Sequence, residues 1–264
     1  MIATYNWSSV LRWSLRSALR QDYPRLEVIV VGDGCDDDFE QVVRSFGDAR
    51  VRWHNLARNS GSQSAPNNAG IELARGEYVA YLGHDDLWLP THLSWLVGAL
   101  ARSGAGLAHS LAEMIGPPPR PLRLVTGTDP AAAAAGVLPP SSILHRRELA
   151  HEVGGWRDYR ELVLPPDQGF VAALHRRTKV ASVAALTVFK FNSAWRPGSY
   201  VEKPSHEQAA YSRRIDSERG FVLREIAAVA AARAAGRMPE LPAAPDPVPP
   251  GWYVSRWRKI RGLE

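Results

Sequence analysis

Two continuous apolar runs, LEVIVV (26–31) and EYVAYL (77–82), constrain this chain more than any other feature. Neither alternates polar with apolar residues, so neither suits a sheet with one face in water. Both suit strands buried on both faces, the setting of a parallel sheet covered by helices. The neighbouring segments agree. MIAT (1–4) is a short apolar strand. Ser8 and Ser9 can cap a helix through about Arg20, with Val10, Leu11, Leu15, Ala18 and Leu19 on its inner side. Residues 38–46 read as a helix, 51–55 as a strand and 64–74 as a third helix; Pro90 suits the first turn of a fourth, continued by THLSWLVGALARS. This βαβαβ rhythm predicts an α/β fold, a Rossmann-like, mostly parallel sheet flanked by helices.

After residue 104 the rhythm changes. Residues 116–121 and 129–140 are loops by their Pro and Gly content, although the Ala run in the second can form a short helix. Residues 141–191 mix strand and helix patterns, 205–236 are helix-prone, and 239–250 form a semi-rigid proline-rich linker. The last segment, GWYVSRWRKIRGLE, mixes aromatic and basic residues, which suits an anionic membrane surface, a second subunit or packing on the protein itself. It follows every motif below, so it is expected to be dispensable for chemistry.

A net charge of +5 suits anionic partners such as phosphates, nucleotides or lipid headgroups. Nucleic acid is disfavoured, because no basic stripe interleaved with aromatics exists outside the last dozen residues. A single cysteine, Cys35, excludes a disulfide within the chain, argues against a cysteine-based zinc site and suits a reducing cytosol. No run approaches eighteen apolar residues and no signal-peptide pattern opens the chain, so a cytoplasmic protein is expected, peripheral at most to the inner membrane face.

In an open parallel sheet, ligands bind beyond the carboxyl ends of the strands. Three strands here end in polar signals: Tyr5-Asn6, Gly32-Asp33-Gly34 and Gly83-His84-Asp85-Asp86. One acid can hydrogen-bond a base or ribose, and another can hold a divalent ion against a diphosphate. Taken singly, Gly-Asp-Gly is a turn signal and an acid pair caps a helix or solvates a loop. Their order on successive strand ends favours a ligand site. Trp88 and Pro90 read as structural. His84 reads as an exposed loop histidine or a metal neighbour.

TYN (4–6), EVIVVGDGCDD (27–37) and NSGSQSAPNNAGIELARGEYVAYLGHDDLWLP (59–90) together resemble the nucleotide-sugar domain of family 2 glycosyltransferases, which have the glycosyltransferase A fold. SSILHRRELAHEVGGWRDYRELVLPPDQGF (141–170) resembles the family's acceptor-side segment and extends the match to about residue 192. The resemblance implies a nucleotide-sugar-binding half at 1–104 and an acceptor-binding half at 105–204, followed by a C-terminal helical region at 205–238 and the linker and tail at 239–264. It implies that Thr4, Tyr5 and Asn6 line the base pocket and that Asp33, beside Gly34, binds the base or ribose. Asn59, Gly61, Asn67, Asn68 and His84 fall on the donor side. Asp85 becomes the metal-binding acid, with His206 a second candidate ligand, and Asp86 helps to position the donor sugar or the motif loop. Asp167 falls where the family carries its catalytic base; a helix N-cap is the alternative reading. Trp156 and Arg196 fall on the acceptor side.

Five departures mark this chain. The family usually has Asp at the position of Gly83, Asp-Asp-Gly at Gly32-Asp33-Gly34, often Arg at Asn67, and Glu at Pro166; its first strand also has residues preceding MIAT. The expected function is an inverting glycosyltransferase using a nucleoside diphosphate sugar, a uridine one by preference, with Mg²⁺ or Mn²⁺. The acceptor is the hydroxyl of a glycan, a lipid-linked sugar or a small molecule, in the bacterial polysaccharide, glycolipid or glycoconjugate synthesis usual for the family. The alternative is a nucleotide-sugar-binding protein with a degraded site.

Overall fold

The structure, a computed structural model, describes residues 1–116, 123–192, 196–203, 205–234 and 246–264. Strands β1 (Ile2–Thr4), β2 (Val28–Gly32) and β3 (Val51–Asn55) pair in parallel, with Ile2 opposite Val30 and Val30 opposite Trp53. Every residue of β2 is buried, as its unbroken apolar run requires. The helices α1 (Ser8–Leu19), α2 (Asp37–Arg44) and α3 (Ser64–Leu73) connect these strands and lead on to β4 (Tyr78–Ala80). Ser8 and Ser9 do not cap α1: Trp7 occupies the cap position, no side chain bonds there, and Ser9 Oγ donates instead to the carbonyl of Lys203 at 3.0 Å.

A second sheet runs in the order β4, β8 (Ile143–Arg146), β6 (Leu107–Ile115), β9 (Val180–Phe191) and β5 (Leu87–Trp88), with β7 (Arg123–Thr126) paired to β6. Here β6 and β9 are parallel and the remaining pairs are antiparallel. The two sheets meet where Met1 N donates to the Ala80 carbonyl at 2.7 Å and Leu82 N donates to the Met1 carbonyl at 2.9 Å. Bonds straddling Tyr81 in this way are those of parallel neighbours. The tip of β4 therefore lies beside the tip of β1, although 80 residues separate Thr4 from His84.

The sheet is covered on both faces. One core gathers Leu11 and Leu15 of α1, Phe39 of α2, and Leu96 and Leu100 of α4 (His92–Ser103) against Ile2, Val28 and Val30. The other packs Ile71 of α3, Leu149 of α6 (Arg147–Glu152), and Phe170 and Leu174 of α7 (Pro166–Arg177) against Val79, Tyr81 and Leu107. The Ala run forms α5 (Pro130–Ala134), capped by the Asp129 side chain. Trp88 is structural, as its sequence suggests: its indole N–H donates to the Ser141 carbonyl at 2.7 Å and its ring stacks on His92. The helix-prone stretch after 204 is two helices, α9 (His206–Ser217) and α10 (Phe221–Ala234), separated at Gly220, whose φ of +74° suits only a glycine. The short α8 (Ser199–Glu202) precedes them, and α11 (Trp252–Arg261) ends the described chain.

Candidate active site

The ends of β1 and β2 and the turn after β4 open into one cleft of about 670 Å³, lined by Thr4, Asp33, His84, Asp85 and Asp86 and also by Asp167. Segments distant in sequence thus meet at the carboxyl edge of the sheet. Tyr5, Asn59, Gly61 and Asn67 line the same cleft.

Asp33 is held by the loop after β3. It accepts from the Ser60 N–H at 2.9 Å and from Asn59 Nδ2 at 2.8 Å. Burial raises its carboxyl above the ordinary range, and the backbone amides of Ser60 and Gly61 and the charge of Arg258 oppose the rise. Gly34 lies behind it at φ +70°, with the backbone of Arg58 and Asn59 filling the place of any side chain. It shapes the turn and does not line the cleft.

His84 is buried, contrary to the exposed-loop reading. Its Nδ1 bonds Thr4 Oγ1 at 3.0 Å and its Nε2 bonds the Tyr200 hydroxyl at 2.9 Å. Burial lowers its pKa to about 4, so the ring is neutral at pH 7. With both nitrogens engaged, it braces the cleft floor rather than offering a lone pair to a metal.

Asp86 is also fully engaged. Ser141 Oγ donates to it, as do the Phe191 N–H at 3.1 Å and Lys190 Nζ at 3.3 Å. Burial pushes its pKa up to about 6, while Lys190 opposes the shift. Burial alone would lower Lys190; Asp86 and Asp85 hold its pKa above the ordinary value, so the pair is ionised at pH 7. Asp86 thus ties the turn after β4 to Lys190 and Phe191 at the end of β9.

The turn explains Gly83. A Cβ at this position would lie 2.6 Å from Asp86 Oδ2 and 3.3 Å from Asp85 Oδ1. The aspartate usual in the family has no room while Asp86 is buried against Ser141. Gly83→Asp is therefore expected to destabilise the fold by about 1–3 kcal/mol, the usual cost of overpacking. Thermal melting should show a drop of several degrees; an unchanged melting temperature would mean that the turn rearranges freely.

Asp85 lines the cleft, and its carbonyl accepts from Gln208 Nε2 at 3.1 Å. Among the described residues no group of three His, Cys, Asp or Glu side chains is placed to hold a metal ion. A single carboxylate still fits a hydrated divalent ion that draws its other ligands from water and phosphate oxygens. The side chain of His206, the other candidate ligand, lies outside the described residues.

Asp167 is the second residue of α7, with Pro166 in its first position and Pro165 at the cap. No side chain caps the helix, so the N-cap alternative is not realised. Burial raises the carboxyl above its ordinary value; the backbone amides of Gln168 and Asp167 and the charges of Lys190 and Arg261 pull it down again.

Four further candidates lie elsewhere. Asn6 adopts φ +44° in the turn before α1, and its Oδ1 accepts from Lys203 Nζ at 2.9 Å. Asn68 clamps the backbone of Trp156, donating to its carbonyl at 2.9 Å and accepting from its N–H at 2.8 Å. Trp156, read as an acceptor-side residue, is buried in the core and stacked on Phe170 with ring centres 4.5 Å apart. Arg196 pairs with Glu207 outside the main cleft.

Sequence reasoning missed Lys190, Tyr200 and the whole inner side of α11. The tail is neither remote nor separate. Trp252, Tyr253, Trp257, Arg258 and Arg261 all line the cleft. Arg258 reaches the Gly61 carbonyl at 3.3 Å and Asn59 Oδ1 at 3.4 Å. The mixture of aromatic and basic residues was visible, but its address was not: a linker hides where a tail returns.

The profile of the family described as "Glycosyl transferase family 2" matches residues 1–140, more than half of the chain. The chain belongs to glycosyl transferase family 2. Among curated relatives, the succinoglycan biosynthesis protein ExoO of Rhizobium meliloti (strain 1021) is 32% identical over 151 residues, covering 56% of this chain and 43% of that protein. The chain spans less than half the length of the first curated relatives it matches. Among solved structures, S. aureus TarS 1–349 in complex with UDP-GlcNAc superposes with a TM-score of 0.62 at 19% identity, covering 85% of this chain and 68% of that one. The mannosyltransferase PcManGT of Pyrobaculum calidifontis, in complex with GDP-Man and Mn²⁺, gives 0.56 at 19% identity, covering 90% and 75%. These likenesses show the glycosyltransferase A fold that the motifs of this family 2 chain imply. No helix among the described residues is long and apolar enough to cross a membrane.

Proposed function

We propose that the chain is an inverting glycosyltransferase that moves a sugar from a nucleoside diphosphate sugar, a uridine one, to an acceptor hydroxyl. One observation carries this reading: Asp33, Asp85 and Asp167, from three separate segments, line one cleft at the carboxyl edge of the sheet. Asp33 and the β1 tip receive the base and ribose. Asp85 faces the diphosphate. Asp167 takes the proton of the acceptor hydroxyl as its oxygen bonds to the anomeric carbon and the bond to the diphosphate breaks, releasing the nucleoside diphosphate. The raised carboxyl of Asp167 makes it a better base than an ordinary surface aspartate. A divalent cation, Mg²⁺ or Mn²⁺, held at Asp85 would supply Lewis-acid stabilisation of the leaving group. The PcManGT complex with Mn²⁺ supports the cation and the TarS complex supports a uridine donor. ExoO supports bacterial polysaccharide synthesis as the setting.

The test is a melting-temperature series with UDP-sugars and GDP-mannose, with and without Mn²⁺, followed by donor hydrolysis without acceptor. A ligand bound only by the folded state must raise the melting temperature. A stabilising donor that is never hydrolysed or transferred would make the chain a binding protein. Asp85→Asn is expected to leave UDP binding in EDTA intact and to abolish the gain that Mn²⁺ gives the unaltered protein. Calorimetry reads both values, and a surviving Mn²⁺ gain would move the metal away from Asp85.

A further inference from the structure

We infer that Arg261, presented by the C-terminal helix α11, binds the donor's diphosphate in the cleft it shares with Asp85, so that α11 is a wall of the donor site. This rests on the reading of the donor as a nucleoside diphosphate sugar. Arg261 lines the cleft, and its Nε is buried with no hydrogen-bond partner among the described residues. A buried guanidinium N–H without a partner is costly, and an anionic ligand is its natural complement. The guanidinium lies over the Tyr200 ring, 5.4 Å from its centre, and Tyr200 in turn bonds His84 beside Asp85. His84, Lys190 and Asp167 line the same cleft as Arg261.

The position of Arg261 is built, not incidental. The Gly262 N–H bonds the Lys259 carbonyl at 3.2 Å and the Leu263 N–H bonds the Arg258 carbonyl at 3.0 Å, with Gly262 at φ +80°. This is a Schellman closure, which needs a glycine there. It swings Leu263 onto the apolar cluster of Trp7, Val10 and Tyr200. The Gly198 N–H donates to the Ile260 carbonyl at 2.9 Å, tying the preceding residue to the start of α8. The turn where the family usually adds a carboxylate holds Gly83 instead, and a metal held by fewer carboxylates leaves more of the diphosphate charge to be met by the chain's own cations.

Calorimetry on the full chain, with UDP, inorganic pyrophosphate and uridine, each in EDTA and in Mn²⁺, tests this. Arg261→Gln is expected to weaken UDP and pyrophosphate by about 10–100-fold, the range of a bidentate charge-assisted contact, and to leave uridine unchanged. Arg261→Lys should recover part of the loss. Equal UDP affinity in Arg261→Gln and the unaltered protein would overturn the inference. Should the variants melt early, the unaltered protein still decides: UDP, but not uridine, should slow trypsin cleavage after Arg261, and no slowing overturns the inference. If the unaltered protein binds neither UDP nor GDP, the donor reading itself fails, and the inference with it.

Discussion

Asp167→Asn is expected to lower sugar transfer by about 10²–10⁴-fold, the usual contribution of a general base, while donor affinity stays unchanged. The amide keeps the shape and cannot take the proton. Pro165 and Pro166 fix the backbone into α7, so the substitution should not disturb the helix start. The rate should carry the titration of this residue. Its folded carboxyl is raised, so activity should fall, as pH drops, at a higher pH than an ordinary aspartate would give. In Asp167→Asn that acid limb should vanish from the residual rate. Near-normal transfer would leave Asp167 as a helix-start residue only, and weakened donor binding with normal turnover would move it to the donor side.

The parallel β1–β3 unit was legible because its physics is local. LEVIVV has no polar face, so it must be covered on both sides, and the helices that cover it follow within a few residues. That Asp33, Asp85 and Asp167 would share one cleft was legible from motif and position together. The rest depended on long-range packing that leaves little trace in a single sequence. His84 looks like a loop residue until Tyr200, 116 positions later, closes on it. Trp156 reads as an acceptor-side residue, but Phe170 stacks on it and Asn68 pins its backbone. Asp86 reads as an aid to the donor sugar or to the motif loop, and its partner Lys190 sits at the end of a strand no motif announces. Strand β6 escaped notice because His109, Ser110 and Glu113, all buried, interrupt the apolar signal that marks a central strand.

Ending the chain at Pro250 is expected to cut transfer by at least about 10²-fold, the loss that a misplacement of reacting groups by about 1 Å can cause. The sequence argues the opposite, since the tail follows a proline-rich linker and every matched motif. The structure explains the reversal. Removing α11 takes away Arg261, frees the Asn59–Gly61 loop from Arg258 and uncovers Tyr200, which holds His84 at the cleft floor. The Asn59 side chain in turn bonds Asp33, so the loss extends to the base and ribose end of the site. The two cores that cover the sheet contain no residue of α11, so the truncated chain should still fold cooperatively. Circular dichroism and a melting curve establish that first, and transfer is then measured at saturating donor. A folded truncation that transfers at the full rate would make α11 a cover over the cleft; a folded truncation with the expected loss makes it part of the active site.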